Sequence, residues 1–265
     1  MGRIIKMDFY RFVRSIVFYV CIGALVFTAA TSLWSFYLIS SPAMKELGAV
    51  MPESLTAVRP QTFDDYFEIL FQSNTVVMFT VIFTVVFCNA EFKNGYIKNV
   101  AAIVGDRSKL VFSKLLVILA AVVVFNFSLV LCIIAGCSFM GLHAVSNMAG
   151  VVKTVLLGIL MNMAIASLVY MLFMISRKAI LPMVAGLVYV LLGSTVYSLV
   201  DLILEKICSI PEIHIEKYTT LGNMMMYVNS AAESSDYIRA VVVSCVVLAA
   251  STTVSVILMK KKDIK

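Results

Sequence analysis

Charge is what this sequence has least of. Asp, Glu, Lys and Arg make up 14% of its 265 residues, against about 25% in an ordinary globular chain. The set AVILMFWYC instead reaches 62%, and the mean hydropathy is +1.00. So few polar side chains leave too little to wet a soluble surface, and lipid must be the solvent for most of the chain. Disorder and nucleic-acid binding are excluded with it. There is no G-x-x-x-x-G-K-[ST]: Gly150-Val151-Val152-Lys153-Thr154 lacks the second glycine that sets the lysine on the phosphates, so any ATP is used by another chain. Tandem repeats and low-complexity runs are absent, so residues 1–265 read as one membrane domain. Five of the six cysteines (Cys21, Cys88, Cys132, Cys137, Cys245) fall in or beside apolar runs and only Cys208 does not, which describes small hydrophobes and not a disulfide or metal framework. The two histidines, His143 and His214, lie outside those runs without a carboxylate pair or a His-Glu helix motif, so no catalytic or metal-ligating set is expected.

What is present is six stretches free of Lys, Arg, Asp and Glu: Ser15 to Met44, Ile69 to Ala90, Leu115 to Val152, Thr154 to Ser176, Ala179 to Val200 and Ala240 to Met259. A membrane-crossing helix needs about 20 apolar residues, and each stretch can supply one. Gly136, Gly141, His143, Ser146, Asn147 and Gly150 crowd the second half of the third stretch, so its helix is expected to end near Phe139. The expected spans are then about 15–40, 69–90, 115–139, 154–176, 179–200 and 240–259, an all-α integral membrane fold. Arg3, Lys6, Arg11 and Arg14 before the first run resemble a signal-peptide n-region, but the run is too long for an h-region and reads as a retained span.

The charges give an orientation. Fifteen of the 21 Lys and Arg lie before the first span, between spans two and three, between four and five, or after six, while 11 of the 15 acidic residues lie on the other side. The positive-inside rule then puts both termini in the cytoplasm of a multi-pass cell-membrane protein. The net charge of +6 is thus a topology signal and a contact with anionic headgroups, not a nucleic-acid site.

Outside the spans, Arg3, Lys6, Tyr10 and Arg14 share one helical face, with Ile4, Ile5, Phe9, Phe12 and Val13 over much of the rest. This is the pattern of an interfacial elbow helix over residues 3–14. The external loops are expected at 41–68, holding Pro42, Pro52 and Pro60, and at 201–239, where Leu202, Ile203, Ile207 and Ile210 at helical spacing extend the fifth span or form an amphipathic piece. Met224-Met225-Met226 reads as gap-filling contact with the span ends. Between spans two and three, Tyr96, Val100, Ile103 and Val104 make a short apolar stripe with Lys93, Lys98 and Asn99 off it, bracketed by Gly95 and Gly105. A short helix over about 95–104 is expected, and it needs something on which to bury that stripe.

Here the sequence resembles the membrane permeases of type-two ABC exporters. The residues that carry the likeness are Glu91 closing span two, Gly95 four residues on, the short helix, and then Gly105-x-Arg107-Ser108-x5-Lys114 leading into span three; Tyr96 stands where members often have threonine. The elbow, six spans and both ends inside follow the same layout. The resemblance implies that 95–104 is a coupling helix seated in a separate ATPase subunit, with Glu91, Asn94, Gly95, Tyr96, Lys98, Val100, Arg107 and Lys109 docking it. It also implies a second permease copy, and ATP and Mg bound by the partner and not by this chain.

Glu91 at a helix C-terminus is electrostatically misplaced unless a basic group answers it; Arg107, Lys109 or the ATPase is expected to do so. Within the expected spans no Asp, Glu, Lys, Arg or His appears, which disfavours an ion-coupled antiporter. Thr80 and Thr84, one turn apart, and Asn126 and Asn162 are the candidate path residues, although Asn at that depth more often bonds helix to helix and Thr can satisfy itself on a carbonyl four residues back. A wall without charge and rich in Phe and Met suits a hydrophobic or amphipathic cargo, and the likeness points to a peptide or antibiotic. The competing reading is a non-transporting scaffold or sensor whose basic loop docks a regulator.

Overall fold

A computed structural model describes residues 2–40, 62–93, 107–142, 148–207, 215–227 and 234–261. Among the described residues the elements are α1 (Gly2–Val13), α2 (Ile16–Ser40), α3 (Phe63–Gln72), α4 (Thr75–Lys93), α5 (Ser108–Phe139), α6 (Met148–Ser176), α7 (Ile180–Ile207), a 3-10 turn (Ile215–Tyr218), α8 (Thr220–Tyr227) and α9 (Ser234–Lys261), with no strand. Six segments are long and apolar enough to cross a membrane: Ile16–Leu38, Phe63–Lys93, Ser108–Phe139, Met148–Ser176, Ile180–Leu204 and Ser235–Lys261. The protein is an all-α, multi-pass integral membrane protein. One end of the bundle carries Arg3, Lys6, Lys93, Arg107, Lys109, Arg177, Lys178, Lys260 and Lys261 and is here the basic end.

The helices outrun the charge-free stretches that announced them. The second span was expected to start at Ile69, with Asp64, Asp65 and Glu68 in an external loop; instead α3 already begins at Phe63. Its apolar residues Phe63, Tyr66, Phe67, Leu70 and Phe71 recur at i, i+3, i+4, i+7 and i+8, and all five are buried. Thr62 and Asp65 close its start with a capping box, the Thr62 amide donating to Asp65 Oδ2 at 2.9 Å and the Asp65 amide to Thr62 Oγ1 at 3.3 Å. The chain then breaks at Ser73 and Asn74, where Asn74 takes φ 56°, a left-handed backbone that Asn tolerates better than most residues. Likewise α5 starts at Ser108 and α9 at Ser234, each six or seven residues before the expected span. In the long segment 201–239, α7 runs on to Ile207, and the rest of what is described is the 3-10 turn, α8 and the first turns of α9. Met224 is buried; the side chains of Met225 and Met226, and residues 41–61, His143 and His214, lie outside the described residues.

α4 and α6 are the most enclosed spans, while α7 and α9 turn most of their surface outward. At the basic end α1 lies against α5 and turns into α2 at Arg14 and Ser15. Arg3, Lys6, Tyr10 and Arg14 are exposed on it. Phe12 faces inward, its ring 4.3 Å from Phe18 and 5.8 Å from Phe83, and Phe125 stacks on Phe18 at 5.9 Å. These rings from α1, α2, α4 and α5 meet in one cluster whose edge-to-face pairs each add about 0.5–1.5 kcal/mol beyond burial. Close helix approach needs a missing side chain: a Cβ on Gly186 of α7 would stand 2.7 Å from Val81 Cγ1 of α4, the small-residue packing that membrane helices use.

Candidate functional site

The inward stripe of α1 is Ile4, Asp8 and Phe12, one residue every turn, so packing the elbow buries a carboxylate. Asp8 is 1% exposed. Its Oδ1 accepts from Lys114 Nζ and its Oδ2 from Ser113 Oγ, both at 2.5 Å. Lys114, in the second turn of α5 and itself buried, also donates to Glu91 Oε1 in the last turn of α4. Arg11 of α1 completes the group, its Nη1 2.7 Å from the same Glu91 oxygen. Two carboxylates and two cations thus balance, and the Phe87 ring lies 5.7 Å from Lys114 Nζ. Removing charges from water costs several kcal/mol per ion, so such a network contributes little net stability; removing one member leaves an unanswered charge and costs about 3–5 kcal/mol.

The partners of Glu91 are therefore Lys114 and Arg11, not Arg107 or Lys109. The expectation of spans without ionisable groups is corrected in the same place. Glu91 and Lys114 bounded the charge-free stretches, and both helices continue through them. Arg107 stands immediately before α5 without a side-chain cap, and Lys109 is exposed in its first turn. Cations at a helix N-terminus oppose the dipole, so neither serves its own helix. Asn94, Gly95, Tyr96, Lys98 and Val100, with the expected helix over 95–104, lie outside the described residues. What is described is the frame of that connection: Glu91 and Lys114 flank residues 94–106 and are joined to each other and to the elbow.

The four candidate path residues all lie within the chain. Thr80 and Thr84 of α4 are fully buried, and their hydroxyls find no partner. Asn126 of α5 donates to Val122 O at 2.8 Å, and Asn162 Nδ2 of α6 donates to Asn126 Oδ1 at 3.4 Å. That bond joins two helices inside one subunit. Further along, Ser167 of α6 meets Ser251 of α9 at 2.7 Å. Among the described residues no three His, Cys, Asp or Glu converge as metal ligands, and the two carboxylates that do approach, Asp8 and Glu91, already share the Lys114 ammonium.

Sequence reasoning missed Asp8, Arg11 and Ser113. The signal for Asp8 was in view, since an acid at the centre of the Ile4–Phe12 stripe interrupts the apolar side of an interfacial helix. Nothing local announces Arg11 or Ser113, which come to Glu91 and Asp8 from 80 and 105 residues away.

The sequence family described as ABC-2 family transporter protein matches residues 4–193, from the elbow through the charge cluster to the middle of α7. No curated protein matches the chain. With some seven-tenths of its length covered by that family, including every member of the cluster, the chain belongs to the ABC-2 transporter family and is the permease subunit of an ABC transporter, partnered by an ABC-type ATPase and not itself one.

Proposed function

We propose that this permease is an exporter that moves a hydrophobic or amphipathic cargo, a peptide or an antibiotic, out of a bacterial cell. It works as a homodimer with both termini cytoplasmic, and the 94–106 connection docks on the ATPase as the coupling segment. The observation that carries this reading is the buried link among Asp8, Arg11, Glu91 and Lys114. It ties the elbow to both stems of the connection, so a push on 94–106 moves α1, α4 and α5 together and not one stem alone. Closure of the ATPases on ATP would drive such a push, and a rigid-body shift between inward and outward arrangements would follow. Arg107 and Lys109, unused by their own helix, offer cations to an acidic surface of the ATPase. The buried charges Asp8, Glu91 and Lys114 are paired with one another and with Arg11, and an interior of that kind suits an amphiphile better than an ion.

The experiment is co-expression with the genomically neighbouring ATPase, purification in mild detergent, and ATPase turnover measured with and without amphipathic peptides. A co-purified ATPase whose turnover rises with peptide is the expected result. A permease that binds its ATPase but whose turnover no peptide or drug changes would overturn the cargo class, and one that binds no ATPase would favour the scaffold reading.

A further inference from the structure

At the end of the bundle opposite the basic end, α6 and α9 run parallel and in register. Lys153 meets Tyr237 and Ser167 meets Ser251, both pairs 84 residues apart. Between the two helices a groove of about 470 Å3 opens laterally, its walls formed by Leu156, Leu160, Val241 and Val242 and its mouth by Lys153 and Tyr237. The wall is apolar and the mouth is cationic. Lys153 Nζ sits 3.3 Å over the Tyr237 ring, a cation–π contact that holds the ammonium at the groove instead of letting it extend away. Among the described residues, Lys153 belongs to none of the ion pairs; the nearby acid Asp236 pairs with Arg239 at 2.8 Å on its own helix. Among the described residues, then, no acid neutralises Lys153. It lies on the sixth residue of a membrane-crossing helix, about 8 Å along the axis from the helix start, which is headgroup depth. From there Leu156 and Leu160 descend one and two turns into the hydrocarbon.

We propose that this groove is a binding site for one anionic phospholipid, its phosphate on Lys153 Nζ and one acyl chain laid between α6 and α9. The charge favours that occupant, and the apolar walls below Lys153 suit an acyl chain. A zwitterionic lipid brings its own cation against Lys153, and an anionic one does not. A lysine near the membrane surface attracts an anionic lipid by a factor of about five. The inference does not depend on the export reading, because lipid occupies the site whether or not cargo moves.

The test is native mass spectrometry of the purified full-length chain titrated with dioleoylphosphatidylglycerol or dioleoylphosphatidylcholine. The wild type and Lys153→Arg are expected to prefer phosphatidylglycerol about fivefold, Lys153→Gln to bind the two lipids equally, and Leu160→Trp to bind less of both. Lys178→Gln, a lysine change at the basic end, should leave the preference unchanged, and melting curves confirm that each variant is folded. Glycerol 3-phosphate in excess should not displace the lipid. A preference that survives in Lys153→Gln, equal binding by the wild type, displacement by glycerol phosphate alone, or a Lys153→Gln variant that changes oligomeric state without changing lipid retention would each overturn the proposal.

Discussion

Glu91 and Lys114 are hydrogen-bonded to each other in the interior although the whole 94–106 connection separates them in sequence. Lys114 is also the sole ion-pair partner of Asp8 among the described residues, so one ammonium holds two carboxylates from two other helices. Replacing Lys114 with Met should therefore be the most damaging single change in the cluster. It leaves Asp8 without a cation and Glu91 with Arg11 alone, and a loss of about 3–5 kcal/mol is expected. Glu91→Gln, which keeps an acceptor for Arg11 and Lys114, should cost less. Thermal unfolding in detergent distinguishes them, and a Lys114→Met protein that melts with the wild type would show that the cluster is hydrated and not buried.

How much of this was legible beforehand depends on what each residue had to reveal. The spans were legible because lipid demands about 20 apolar residues in a row, a property of the local sequence alone. Their ends were not, because a charge such as Glu91, Lys114 or Asp64 looks like an exit from the membrane, when burial of its partners or neighbours keeps the helix going. The helix-to-helix role of Asn126 and Asn162 was legible from chemistry, since an amide at that depth needs a partner. That Asp8 answers Lys114 was not, for the two are 106 residues apart and only the packed elbow brings them together.

The Asn126–Asn162 bond yields a second expectation. Asn162→Leu alone leaves Asn126 Oδ1 without its donor, and a cost of about 0.6–1.7 kcal/mol fits interhelical hydrogen bonds in membranes. Asn126→Leu with Asn162→Leu removes both polar groups and should recover most of that loss. Melting temperatures of the two singles and the double form the cycle. Additive losses would show that the two amides do not act on each other.

Thr80 and Thr84 carry buried hydroxyls without partners, so Thr→Val at either site removes an unsatisfied group without changing shape. Stability should hold or rise by about 1 kcal/mol, with transport unchanged. A variant that keeps its melting temperature but loses cargo-stimulated ATPase turnover would instead put that hydroxyl on the cargo route.

The proposed coupling role of the 94–106 connection is separable from the buried charge network, because Glu91 and Lys114 belong to the helices that flank it. Gly95→Val restricts the backbone two residues beyond the end of α4. The expected outcome is a protein that inserts, melts and binds the ATPase as the wild type does but no longer links hydrolysis to export. Arg107→Glu acts on the other variable. Arg107 stands outside the Glu91–Lys114 link, so reversing it should leave the permease folded and lower the amount of ATPase recovered in a pull-down severalfold. The pair of variants decides between docking and transmission: loss of binding in both would make the connection a simple attachment point. Unchanged export in Gly95→Val would remove the coupling segment from the mechanism and leave the elbow cluster as a structural anchor alone.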